Sequence, residues 1–137
     1  MRSAELDAMG VWGHHAGSFL YVLATGTLGL FGLPMLFWPL RWAAVLGWRV
    51  PEHTHLPIYF GRCLGAVICV LGAFAFRAAG DPALQPFFFD LMLGNFALMV
   101  AVHAYGGLKR IQPVSETYEI GYWLTLFAAA LLFYPVR

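Results

Sequence analysis

Five residues of this 137-residue chain could do chemistry together. His53 and His55 form an HxH element, His103 follows in a later apolar stretch, and Glu116 and Glu119 lie just beyond it. Imidazole nitrogens and carboxylate oxygens are the ligands that hold Zn²⁺, Cu²⁺ and non-haem iron. Two imidazoles from different segments can instead ligate a haem. All five residues flank the same ends of neighbouring apolar stretches, which puts them at similar depth. The competing reading is plain: histidines populate membrane–water boundaries because they are amphipathic, and His53 and His55 sit beside Glu52 and Thr54 as a solvated loop would. His14-His15 falls a membrane thickness away from His103 and is expected to be a boundary pair that could touch a partner subunit.

Other motifs are missing. No GxGxxG, P-loop, HExxH, CxxC or GxSxG pattern occurs, so nothing points to a nucleotide-binding, zincin or serine-hydrolase activity, and an enzyme is not the expectation. Cys63 and Cys69 are six residues apart, which on a helix turns them about 240° from each other, so they are expected as unbridged, buried thiols. The formal net charge of +1 comes without a basic stripe, which excludes nucleic acid as a natural partner.

The elements that must position these groups are apolar. Hydrophobic residues make up 61% and charged residues 11% of the chain, against about 45–50% and about 25% in soluble domains. No formal charge falls between Asp7 and Arg41. Arg62 is the one charge in 56–76, Asp90 the one in 86–108, and 120–136 carries none. A hydrocarbon core of about 30 Å needs about 20 helical residues, and in lipid each segment must pair its own backbone. The expectation is an all-α integral membrane four-helix bundle, one domain, with spans at about 17–38, 56–77, 84–105 and 118–134. The first apolar stretch is too long for a signal core and is taken as a span.

Between the first two spans, Trp38, Trp42 and Trp48 alternate with Arg41 and Arg49, the composition of a headgroup-level segment. A short interfacial helix over 39–50 is expected, ended by Pro51. Pro34 removes a backbone donor and should kink or end the first span. Gly26, Gly29, Gly61, Gly65 and Gly72 are candidates for close helix packing. Gly106-Gly107 should end the third span. Charges near a span are costly, by about 2.5–3.5 kcal/mol at its centre, so Arg62 is expected to pair with Glu119 or Glu116, and Arg77 with Asp90. Asn95 is expected to hydrogen-bond between helices. The Phe87-Phe88-Phe89 run suits lipid, quinone or packing contacts.

Four spans put both termini on one side, with Arg2, Arg77 and Arg137. The other side carries Arg41, Arg49, Arg62, Lys109 and Arg110. The positive-inside rule makes that second side cytoplasmic and the termini periplasmic.

From the second span onward, Arg62-Cys63-Leu64-Gly65-Ala66 and Arg77-Ala78-Ala79-Gly80-Asp81-Pro82 resemble the DoxX-like group of small bacterial four-helix membrane proteins. The resemblance covers about 59–137. It implies a small inner-membrane protein, sometimes associated with oxidoreductase complexes, and carries over no catalytic residue. Three function classes follow. The leading expectation is an accessory subunit of a larger respiratory, photosynthetic or oxygenase membrane complex, with other membrane subunits and the lipid bilayer as its partners. The second is a metal- or haem-binding membrane redox protein using His53, His55, His103 and Glu116 or Glu119. The third is a homo-oligomeric transporter lined by Arg62, Asp90 and Asn95.

Overall fold

The computed structural model describes residues 9–136. Arg2 and Arg137, two of the three cations assigned to the terminal side, lie outside the described residues. The chain is all-helical, with no strand among the described residues. Its first long helix, α1 (Gly13–Phe37), is built in pieces: a 3₁₀ turn Gly13–His15, an α-helix Ala16–Thr27, a π-turn Leu28–Gly32 and a final α-turn Leu33–Phe37. A short helix α2 (Pro39–Val45) follows, then α3 (His55–Ala79), α4 (Gln85–Lys109) and α5 (Val114–Leu132).

Three of these, α1, α3 and α4, are long and apolar enough to cross a membrane, with 25 residues each. At 1.5 Å per residue that is about 37 Å. Only 17–28% of these spans is buried within the chain, and Val22, Leu30, Leu98 and Val102 point outward, as in a protein that meets lipid on most faces. This is a multi-pass membrane protein. The fourth expected span does not reach the same apolarity. The helix begins at Val114 rather than 118, because Pro113 is extended (ψ 157°) and the chain turns helical straight after it. Glu116 therefore lies on the helix with Glu119, not in front of it.

Just ahead of Pro34, where a kink or an end is expected, the helix takes the π-turn Leu28–Gly32. Proline has no N–H for the carbonyl four residues back, which is Leu30. That carbonyl accepts instead from the indole Nε1 of Trp42 at 2.8 Å. The helix runs on until Trp38 leaves helical geometry (φ −133°, ψ 54°) and Pro39 starts α2. The short helix ends at Val45, not 50, and Gly47 (φ 86°) then turns the chain back. Likewise α4 continues through Gly106-Gly107 to Lys109 and is closed by Arg110 in the left-handed region (φ 55°), with Ile111 N–H donating to the Gly106 carbonyl and Arg110 N–H to that of Gly107. That is the Schellman pattern with an arginine where glycine is usual. Gly80-Asp81-Pro82 makes its turn as expected, with the Ala83 N–H donating to Asp81 Oδ1 at 3.0 Å.

The helices associate as two close pairs. In the first, α3 lays its glycines against α1 and α2: Gly65 on the backbone of Met35 and Leu36, Gly72 on the Leu28 side chain, Gly61 on Pro39. Gly26 and Gly29 face open space, so the packing strip expected from them is not used within the chain. In the second pair, α4 and α5 lie side by side. Between the pairs sits a layer of rings: Phe19 stacks on Phe133 (4.9 Å) and meets Phe89 (5.7 Å), and Phe31 meets Trp123 (6.5 Å). Leu20, Ala24, Ala75, Ala78, Phe89, Met92 and Ala130 complete this core. Phe88 and Phe89 are buried in it and Phe87 points out. Residues 10–13 run beside 131–136 at one end, with Gly10 N–H donating to the Leu131 carbonyl and Trp12 N–H to that of Leu132. The connections 38–54 and 110–113 occupy the other end.

This packing makes an asymmetric prediction. Leucine at Gly65 must push apart two backbones, which costs about 1–3 kcal/mol or more by overpacking. Gly65→Leu should clearly lower the thermal midpoint in mild detergent. Gly94→Ala, where nothing lies within 4 Å, should leave it unchanged or slightly raised.

Candidate metal centre

The site forms where the N-terminus of α5 passes the C-terminal third of α4. Starting the helix at Val114 puts Glu116 and Glu119 three residues apart, hence on one face, and that face meets His103. Glu116 also lies in the first helical turn, where a negative charge is favoured by the helix dipole. His103 Nε2 is 3.1 Å from Glu116 Oε2 and 3.4 Å from Glu119 Oε2. One ligand atom from each of the three residues falls within 4.8 Å of the others. His103 and Glu116 are buried, and the Glu119 side chain is 19% exposed.

The tautomer follows from the next contact. His103 Nδ1 lies 2.8 Å from the Met99 carbonyl oxygen. A carbonyl can only accept, so Nδ1 carries the hydrogen. Nε2 is then a lone pair directed at two carboxylates when the imidazole is neutral. Three acceptors converge in a poorly solvated place. They require a cation among them, either a proton on Nε2 or a carboxylate, or a metal ion.

The surroundings hold this arrangement from both sides. Trp48 Nε1 donates to Glu116 Oε1 at 2.6 Å. It is brought there by the Gly47 turn, which the Ser115 hydroxyl anchors by donating to the Leu46 carbonyl. Gln112 donates to the His103 carbonyl (2.9 Å) and to Thr117 Oγ1 (3.1 Å), tying the ends of α4 and α5 together. It fits because Gly106 has no side chain: a Cβ there would coincide with the Gln112 amide. On the hydrocarbon side, Trp123 packs against His103 (6.1 Å between centroids) and Phe96 (5.9 Å). Its indole N–H is buried beside Glu119 without meeting hydrogen-bond geometry.

Other residues singled out in the sequence stand elsewhere. His53 and His55 are exposed at the start of α3 and are not part of the cluster; among the described residues the candidate ligand group is His103, Glu116 and Glu119. His14 and His15 lie at the opposite end, their rings 4.0 Å apart. Neither expected ion pair forms among the described residues. Glu116 and Glu119 are turned to His103, leaving Arg62 exposed on α3. Asp90 accepts from the Tyr134 hydroxyl at 2.8 Å rather than from Arg77. Asn95 is on the outward face and makes no side-chain hydrogen bond among the described residues, so it does not join helices. Cys63 is exposed, not buried, and Cys69 is half-buried; both are free thiols. Of the three tryptophans expected as boundary anchors, Trp38 is exposed, whereas Trp42 and Trp48 spend their N–H groups on Leu30 and Glu116.

Comparison of the chain with known protein families, curated proteins and solved structures finds no match.

The Trp48–Glu116 bond can be tested by itself. Trp48→Phe keeps the ring and removes the donor to a buried carboxylate, which costs about 1–3 kcal/mol. The variant should unfold at lower temperature in detergent, and adding Glu116→Gln should lower stability by less than the sum of the two single changes.

Proposed function

We propose that this chain is a small four-helix protein of the bacterial inner membrane that binds one divalent transition-metal ion through His103, Glu116 and Glu119. The observation that carries this reading is the convergence of an Nε2 lone pair and two carboxylates, with the other ring nitrogen committed to a backbone carbonyl. Histidines that ligate metals usually make such a second hydrogen bond, which sets tautomer and ring angle. Two carboxylates and one imidazole suit Mn²⁺, Fe²⁺ or Zn²⁺ better than the thiolate-loving ions. A haem on His103 finds no support, since two carboxylates stand in front of Nε2. Although α5 is not among the three helices long and apolar enough to cross a membrane, its final residues 120–132 are uncharged, in keeping with a fourth crossing. The five cations at the His103 end favour that end as cytoplasmic and the termini as periplasmic.

Protein stripped with a chelator and titrated calorimetrically with Mn²⁺ or Zn²⁺ should take up one equivalent. His103→Ala should abolish that uptake, and Glu116→Gln or Glu119→Gln should weaken it by at least about tenfold. Affinity should fall with acidity, because the ligands bind metal only when deprotonated. Absence of saturable uptake in the folded wild type, with His103→Ala merely less stable, would reduce the cluster to a buried ion pair.

A second reading, an accessory subunit of a larger respiratory, photosynthetic or oxygenase assembly, is favoured by a separate observation. Gly26, Gly29, Gly94 and Gly121 have nothing within 4 Å of where a side chain would stand. Uncovered glycines on membrane helices let another backbone come close. A DoxX-like relationship belongs with this reading. Gly29→Ile should then release the chain from its co-purifying partners without changing its own thermal midpoint. A homo-oligomeric transporter is a third reading: Arg62, Asp90 and Asn95 are all exposed on the chain, with Arg62 and Asp90 toward opposite ends.

A further inference from the structure

Arg62 is the charge in this fold that the metal reading does not use. It lies on α3, seven residues after His55 where the helix begins, or about 10 Å along the axis. Its neighbour Gly61 packs on Pro39, the first residue of α2. That contact sets Arg62 level with the start of the short Trp- and Arg-bearing helix, whose composition suits the depth at which headgroups meet acyl chains. Among the described residues it makes no ion pair and no side-chain hydrogen bond. The two carboxylates that could reach it in depth, Glu116 and Glu119, are held by His103.

Around Arg62 the surface is a shallow groove of about 440 Å³. His55, Ile58, Tyr59, Arg62, Cys63 and Ala66 line it from α3, and Leu36 of α1 borders it. Polar heads thus lie toward the membrane boundary and small apolar groups toward its interior. The whole end of the molecule shares the same sign of charge. It carries Arg41, Arg49, Arg62, Lys109 and Arg110, whereas Glu52 is its one carboxylate not committed to the His103 cluster.

We infer that this groove is a binding site for one anionic phospholipid. Its phosphate pairs with the Arg62 guanidinium and reaches the His55 ring and the Tyr59 hydroxyl, and one acyl chain lies along Leu36 and Ala66. A planar guanidinium matches a phosphate through two parallel N–H donors. Such a headgroup supplies the anion that a span-embedded arginine otherwise lacks. The inference stands independently of the metal reading, because Glu116 and Glu119 are turned to His103 whether a proton or a metal ion lies between them.

The test is native mass spectrometry of delipidated protein offered equimolar phosphatidylglycerol and phosphatidylcholine in mixed micelles. Wild type should retain one phosphatidylglycerol in preference to phosphatidylcholine by about fivefold, the worth of one cation at an anionic surface. Arg62→Gln should lose the preference and Arg62→Lys should keep part of it, while Arg49→Gln should keep it whole. If Arg62→Gln fails to fold, the Lys variant alone carries the comparison, with a weakened preference expected. Equal retention of both lipids by wild type, or an unchanged preference in the Arg62 variants, would overturn the site. Displacement of the lipid by millimolar inorganic phosphate would overturn it too, in favour of a soluble anion.

Discussion

Three hydrogen-bond acceptors aimed at one another cannot stay together in a poorly solvated place without a proton or a metal ion between them. That constraint organises the end of this molecule. His103 Nδ1 is spent on Met99, so Nε2 and two carboxylates meet with nothing but a proton or a metal ion to reconcile them. Breaking a buried arrangement of this kind by removing one partner is strongly destabilising, because the remaining charge is left uncompensated. The elements nearby are explicable as ways of keeping it intact. Pro113 starts α5 early enough to carry both glutamates, Gln112 sews the two helix ends together, and the Gly47 turn returns Trp48 to the far oxygen of Glu116.

The rest of the fold uses two ways of packing that suit a protein with little core of its own. Where backbones touch, α3 offers Gly61, Gly65 and Gly72 and gains contact without side chains. Where the two helix pairs face each other, rings fill the gap: Phe19, Phe31, Phe89, Trp123 and Phe133. The aromatic layer extends from the terminal end to the His103 cluster, and Trp123 is its last member. It separates the polar centre from hydrocarbon, which keeps water scarce there and raises the worth of every charge interaction inside.

Much of the fold was legible because hydrophobic length is a robust signal. The second and third spans were read at 56–77 and 84–105 and are found at His55–Ala79 and Gln85–Lys109. The errors have local causes. A polar first turn on α5 has the composition of a loop, so the sequence leaves Glu116 outside the expected helix and Glu119 at its edge. The pair Gly106-Gly107 looks like a stop signal but serves the approach of Gln112. Pro34 looks like a breaker, yet a distant indole takes over the carbonyl it orphans. Of the site, His103 and both glutamates were legible as a set by depth alone. Removing His53 and His55 from that set needed the tertiary structure, as did recognising Trp48 as a partner rather than a boundary anchor. A tryptophan that anchors a membrane and one that holds a carboxylate have the same local sequence.

Pulsed electron paramagnetic resonance on Mn²⁺-loaded protein decides whether His103 closes a metal centre with Glu116 and Glu119. Manganese held by His103 gives modulation from a single imidazole nitrogen, absent in His103→Gln. A manganese signal without nitrogen coupling in the wild type, or one identical in the variant, would contradict it.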